Sequence, residues 1–266
     1  MTIQFTTPAP GVQLITFDAP ERLNAFSFDM YELMISELRR IRHDASIRVV
    51  ILTGAGRGFC AGHFSGGAGK PNWVDPELGR IPYNARTMTV LSELPVLLRQ
   101  LPQPVIAAVN GAAAGVGYSM ALAADIAIAG QSAKFVNAFH NAGTGHELGL
   151  SYTLPRAVGS QKAAELLFTR RPVLADEAAQ IGLVLKTVPD ESLIDEALAL
   201  AAEIMRNHPM GIWYTKQSFH MNESAPSLAA AIELENRAVH LVQATGDFDE
   251  MKAAMVEKRA PVFRNQ

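Results

Sequence analysis

The sequence contains a single cysteine, Cys60, so no intrachain disulfide can brace the fold, a usage that fits a reducing compartment. An excess of positive charge is missing as well. Lys and Arg number 23 against 26 Asp and Glu, a formal net charge of −3. No basic stripe or cluster marks a nucleic-acid or membrane surface, so neither is expected as a partner. Long apolar runs are also absent. The longest candidate, Pro104 to Gly130, is interrupted by Asn110, Asp125 and several glycines, which excludes a spanning helix. The first residues, Met1 to Pro8, lack a basic stretch leading into an apolar one. No export signal is expected there, and the location expected is cytoplasmic.

What is present suits a globular chain. With 266 residues, 48% apolar and 18% charged, a sizeable core can be buried in one large domain, or one domain with a C-terminal appendage. Val12 to Phe17 alternates and is β-rich, which predicts a strand. From Ser27 to Arg42, Met30, Leu33, Met34, Leu38 and Ile41 recur at helical spacing, with Ser27 as N-cap and His43 and Asp44 closing the helix. Arg48 to Gly54 and Val105 to Gly111 are short β-branched runs ending in glycine, as strands buried on both faces are. Asp125 to Ala129 and Gly182 to Val188 predict two further strands. Helical patterns lie between, at Tyr83–Gln100, Gly117–Ala124 and Gln161–Leu167. The alternation predicts an α/β fold with a parallel sheet. The expected division is 1–191 for this core and 192–266 for a helical region, with Pro209 and Pro226 as breaks. Gly62 to Pro82 is the longest stretch without a pattern, and surface loops of that length are usually functional or mobile.

Two Gly-rich turns follow two of the predicted strands: Gly54-Ala-Gly-Arg-Gly-Phe-Cys-Ala-Gly-His-Phe and Asn110-Gly-Ala-Ala-Ala-Gly-Val-Gly-Tyr-Ser. Glycine permits close backbone approach, and N–H groups at a helix start carry partial positive charge. Two such turns can aim donors at one oxyanion, and stabilising that charge is often the main source of rate in acyl-transfer and enolate chemistry. Tight strand–helix packing explains the same glycines equally well. The second turn also matches part of a dinucleotide fingerprint, without its third glycine.

Longer segments carry more. Ala19-Pro-Glu-Arg-Leu-Asn-Ala-Phe-Ser, Val49-Val-Ile-Leu-Thr-Gly, Phe59-Cys-Ala-Gly, Pro104-Val-Ile-Ala-Ala-Val-Asn-Gly and Ala123-Ala-Asp-Ile-Ala-Ile-Ala resemble segments of the crotonase (enoyl-CoA hydratase/isomerase) superfamily, in that family's order. Leu154-Pro-Arg-Ala-Val-Gly and Ala175-Asp-Glu-Ala-Ala-Gln-Ile-Gly-Leu-Val continue the resemblance, which runs from about Gly11 to Phe263. It implies a spiral of ββα units, a C-terminal helical trimerisation region, and homotrimers or dimers of trimers. It implies an acyl-CoA thioester as substrate, with coenzyme A part of that substrate and no separate cofactor.

Carried over residue by residue, the two oxyanion-hole N–H groups fall on His63, after Ala61 and Gly62, and on Val116, beside Gly115. His63 departs from the family's commoner small residue followed by Asp. Hydratases of the family carry two glutamates, and here their positions hold Ser119 and Phe139. Ser119 has no evident activator and Phe139 cannot move a proton, which disfavours ordinary two-glutamate hydration. Glu147 aligns with the acid of dienoyl-CoA isomerases, of phenylacetate-pathway enoyl-CoA isomerases, and of 4-chlorobenzoyl-CoA dehalogenases. A single carboxylate suits a one-base 1,3-proton shift, with an apolar wall expected from Phe139 and Leu148. Isomerisation through Glu147 is therefore the leading reading. The alternatives are a hydratase with Glu147 as sole acid/base, a dehalogenase-like hydrolase, and a binder of acyl-CoA that has lost catalysis. Dehalogenases carry an indole at the Phe139 position and a histidine at the Ser92 position, and this chain has neither.

Weaker candidates complete the set. His146 adjoins Glu147 and is expected to line the substrate site, where it can share a proton. His140 reads as structural, Glu93 as a solvated helix face and Cys60 as packing. Lys70 and Trp73 lie in the variable loop that can cap the acyl pocket. Lys258, Arg259 and Phe263 resemble the family's tail, which can contact CoA, sometimes that of a neighbouring subunit. No metal-ligand spacing recurs, so no metal is expected.

Overall fold

A computed structural model describes residues 2–64, 71–139, 143–144 and 146–265. Two sheets form the frame. The larger is built from β1 (Ile3–Ala9), β2 (Val12–Phe17), β3 (Val49–Gly54), β5 (Val105–Val109), β7 (Ile126–Gly130) and β10 (Thr187–Val188), side by side in that order. Only β1 and β2 pair antiparallel; the other neighbours run parallel. The smaller sheet is built from β4 (Gly58–Cys60), β6 (Ala112–Ala114), β8 (Lys134–Val136) and β9 (Val173–Leu174), also in that order. Each of β3, β5 and β7 thus hands the chain to a short strand of the second sheet, and a helix follows. Three turns of this ββα unit make the spiral that the resemblance implied.

The strand sequences explain the two-sided burial. In β3, Val50 and Leu52 point into the main core while Val49 and Ile51 point to the opposite face, as a period of two requires. On that opposite face Val12, Ile106, Ala108 and Ile128 meet Leu193, Ala197 and Ala201 of α8 (Leu193–Met205). The first helix after position 191 therefore covers the main sheet. On the other face lie α1 (Phe28–Ile41), α2 (Arg80–Leu91), α3 (Glu93–Gln100) and α4 (Val116–Ala123). Every residue of α4 is buried, which its lack of polar side chains apart from Ser119 and Tyr118 permits. Then come α5 (Leu150–Val158), α6 (Ser160–Thr169) and α7 (Ala175–Gln180). Beyond α8, the chain is helical in α9 (Pro209–Asn222), α10 (Leu228–Gln243) and α11 (Gly246–Glu257). Pro209 starts α9, where its missing N–H costs nothing, and Pro226 sits in the gap before α10.

Four expectations change in detail. The strand expected over Gly182–Val188 shortens to Thr187–Val188. The N–H groups of Leu183 and Val184 instead close the end of α7, both donating to the Ala178 carbonyl. The helix expected over Tyr83–Gln100 is two helices, broken at Ser92, with Pro95 in the first turn of the second, where a helix tolerates it. Ser27 stands at the α1 N-cap in extended conformation, but its side chain caps nothing; Leu33 is 38% exposed rather than core.

Side-chain amides fix the corner between the sheets. Buried Asn24 accepts from the Ala19 N–H at 2.8 Å and donates to the Ala55 and Gly58 carbonyls at 2.9 and 2.6 Å. Asn110 accepts from the Gly54 N–H at 3.0 Å and donates to the Gly54 and Gly56 carbonyls at 2.8 and 2.9 Å. Polar groups buried in a turn need such partners, and losing one costs about 1–3 kcal/mol.

Candidate active site

After β4 the chain passes Ala61, Gly62 and His63 alongside the entry to α1. The Phe26 N–H donates to the Gly62 carbonyl at 2.8 Å, and the Phe64 N–H donates to the Phe26 carbonyl at 2.9 Å. Phe26 and His63 thus form a parallel bridge in which Phe26 bonds the residues on either side of His63. By strand alternation, the His63 N–H points away from Phe26. The second turn delivers Val116 as the first residue of α4. The first helical bond runs from the Ser119 N–H to the Gly115 carbonyl at 3.0 Å, so the Val116 N–H is one of the helix's orphan donors. Neither the His63 nor the Val116 N–H has an acceptor among the described residues. Two glycines make the arrangement possible. Gly115 has φ 51 and ψ −113, a backbone that L side chains avoid, and a Cβ on Gly117 would lie 2.1 Å from the Cys60 carbonyl oxygen.

These turns share one cavity of about 470 Å³. Ala61, Gly62, His63, Gly115 and Val116 line one side of it, with Glu147, Leu148, Ala138 and Phe139 also in the wall. Helix α1 contributes Phe28 and Tyr31, and α2 contributes Thr87, Met88 and Leu91. Glu147 is partly exposed and close enough for its charge to act on both His63 and Tyr31. Burial pulls the His63 imidazole below its ordinary value, and the Glu147 charge opposes that shift. Burial, then the neighbouring Cys60 and Glu147, push the Tyr31 phenol well above its usual range, so it stays protonated. The His63 ring is held between two aromatic neighbours, 5.0 Å from Phe28 and 5.9 Å from Tyr31 between centroids.

The loop carrying Glu147 is shaped by local backbone. Leu148 and Gly149 both take left-handed conformations, φ 53 and 77, before α5 begins. The Glu147 carbonyl accepts from the Leu150 N–H at 3.1 Å and from the Ser119 hydroxyl at 3.4 Å. Ser119 therefore does not line the cavity; it is buried on α4 and steadies the Glu147 backbone.

Other sequence candidates fall elsewhere. His146 is exposed and outside the cavity wall, because the turn into Leu148 directs Glu147 inward. Phe263 packs on His208 at 5.7 Å and under Arg48 at 5.8 Å, where the tail is held by Asp247, so it does not reach this cavity in its own subunit. Lys258 ends α11 in a left-handed conformation and Arg259 pairs with Glu250. Glu93 pairs with Arg39 and, like Ser92, lies outside the cavity. Trp73 meets Phe28 edge-on at 6.0 Å and does not itself line the cavity. Cys60 is fully buried, and desolvation pushes its thiol up to about 12, which removes it as a nucleophile. Lys70 and His140 lie outside the described residues. Among the described residues, no group of three or more His, Cys, Asp or Glu side chains is gathered closely enough to hold a metal ion. No described helix is long and apolar enough to cross a membrane.

Sequence reasoning overlooked Phe28, Tyr31, Leu91 and Ala138 as wall residues. The signal for the first two was available: aromatics three apart at the start of α1 share one helix face.

Comparison with known proteins agrees with this architecture. The family model described as enoyl-CoA hydratase/isomerase matches residues 8–266. The chain is 45% identical over 258 residues to the Mycobacterium tuberculosis protein named "Probable enoyl-CoA hydratase EchA12", covering 96% of this chain and 90% of that one. It is 36% identical over 254 residues to the Escherichia coli 1,2-epoxyphenylacetyl-CoA isomerase, covering 95% of each. A crystal structure of a probable enoyl-CoA hydratase/isomerase from Mycobacterium abscessus superposes with a TM-score of 0.90 at 39% identity, over the full length of both chains. Fold, cavity and these relatives lead to one conclusion: the chain belongs to the enoyl-CoA hydratase/isomerase family of the crotonase superfamily.

Proposed function

We propose that this enzyme moves a double bond in an enoyl-CoA thioester by proton transfer through Glu147. The observation that carries the proposal is the presence of Glu147 in the same cavity wall as the His63 and Val116 backbone amides. Glu147 takes a proton from an acyl carbon, and the electron pair moves through the conjugated system onto the thioester oxygen. The two N–H groups hold that oxyanion, one of them at the positive end of α4. The same carboxyl returns the proton at a carbon two positions away, so no redox partner or second acid is required. Phe139 and Leu148, both buried, give the acyl carbons an apolar wall, while the partly exposed Glu147 carboxyl exchanges its proton with solvent.

The Escherichia coli relative is named an isomerase, of an epoxide rather than of an enoyl thioester, and the hydratase name of the mycobacterial relative favours a second reading. In that second reading Glu147 alone manages water and proton. We further propose a homotrimer or dimer of trimers, with α9 to α11 meeting a neighbouring subunit. Leu228, Met255 and Val256 leave 71–82% of their surfaces uncovered in the single chain.

The test is Glu147→Gln. Turnover of 3-enoyl-CoA thioesters should fall by ~10²-fold or more while thioester affinity is kept. Unchanged turnover would remove Glu147 from the mechanism. A wild-type protein that binds no acyl-CoA in calorimetry would remove the whole reading.

A further inference from the structure

Among the hydroxyl groups around the cavity, one is left over. Thr87 donates to the Tyr83 carbonyl at 3.0 Å, and Ser119 donates to the Glu147 carbonyl at 3.4 Å. The Tyr31 hydroxyl is buried and has no hydrogen-bond partner among the described residues, although the residue lines the cavity. Its ring cannot easily turn away. It packs edge-on against Phe26 at 5.3 Å and lies 5.9 Å from the His63 ring. Leaving a buried O–H unpaired works against folding, so such a group calls for an explanation.

Glu147 is near enough for its charge to act on the phenol, yet no hydrogen bond joins them. No bond ties the hydroxyl to that carboxylate or to any other described residue, and the open space it adjoins is the cavity. The surrounding wall, with Phe28, Met88, Leu91, Phe139 and Leu148, suits an apolar acyl body.

Resting on the function proposed above, we infer that Tyr31 determines specificity by donating a hydrogen bond to an oxygen carried on the acyl chain, so that the preferred substrates are oxygen-bearing acyl-CoA thioesters. Tyr118 provides an internal contrast. Its hydroxyl is also buried and unpartnered among the described residues, but it packs against Phe135 and does not line the cavity. It should have no part in acyl choice.

The test measures, by calorimetry, binding of hexanoyl-CoA and of its 3-, 4- and 5-hydroxy congeners to the wild type, Tyr31→Phe and Tyr118→Phe. At least one hydroxy congener should bind the wild type about five- to tenfold more tightly than hexanoyl-CoA, the worth of one hydrogen bond. That ratio should fall to near one in Tyr31→Phe and persist in Tyr118→Phe. Hexanoyl-CoA binding with no preference for any congener, or a preference that survives in Tyr31→Phe, overturns the inference alone. Failure of all four thioesters to bind the wild type overturns the proposed function and this inference with it. The melting temperature gives an independent arm: removing an unpaired hydroxyl should leave it unchanged or raise it. A clear fall in Tyr31→Phe would show that the hydroxyl already has a partner, and would also overturn the inference.

Discussion

The two chemical sides of the cavity are built in different ways. The side presenting the His63 and Val116 N–H groups is backbone, held where β4 runs beside the start of α1 and where the wholly buried α4 begins. Glycines with no room for a Cβ lock it against its neighbours. The acid side is a side chain on a partly exposed loop, shaped by two left-handed residues and one long hydroxyl contact from Ser119. In the proposed mechanism the fixed side supplies preorganised electrostatics for the thioester enolate. In the same proposal the loop supplies the proton chemistry through Glu147.

The fixed side should break most severely. Gly117→Ala forces a methyl onto the Cys60 carbonyl, displacing the first turn of α4 and with it the Val116 N–H. Turnover should fall by ~10²-fold or more, the usual cost of losing one oxyanion donor, and stability by about 1–3 kcal/mol from overpacking. Steady-state kinetics and urea titration read the two effects separately.

Removing a side chain from the same side should do far less. His63→Ala keeps the backbone N–H, so turnover should stay within about tenfold of wild type. The substitution should instead change how stability depends on pH. The imidazole of His63 is held below its ordinary value in the folded chain, chiefly by burial. Below about pH 6.5 the unfolded chain therefore binds more protons at this site. The stability tied to neutral His63 is complete above that pH and is lost as pH falls toward the lower folded value. Urea titrations across this window should show a smaller acid-side loss in His63→Ala than in wild type. An equal loss would mean that the cavity wall does not disfavour the charged His63 imidazole.

The fixed side was also the more legible in the sequence. Gly-rich turns after two buried β-branched strands indicated backbone donors without any relative in view, although packing explained the glycines equally well. The second sheet was hidden, because Gly58–Cys60, Ala112–Ala114 and Lys134–Val136 are too short to show a period. Glu147 could not be distinguished from an exposed loop glutamate by pattern; only the family resemblance singled it out. Tyr31 was signalled as a wall residue by Phe28 three positions before it, but its orphan hydroxyl has no sequence signature.

Proton transfer through Glu147 is best followed by tracing the proton itself. In D2O, wild-type enzyme with a 3-enoyl-CoA should give the 2-enoyl isomer, with deuterium appearing at the acyl carbons that exchange protons with Glu147 and no net hydration product. Glu147→Gln should show neither isomer nor exchange while still binding the thioester. Accumulation of a 3-hydroxyacyl-CoA without isomer, or wild-type exchange in Glu147→Gln, would contradict this mechanism.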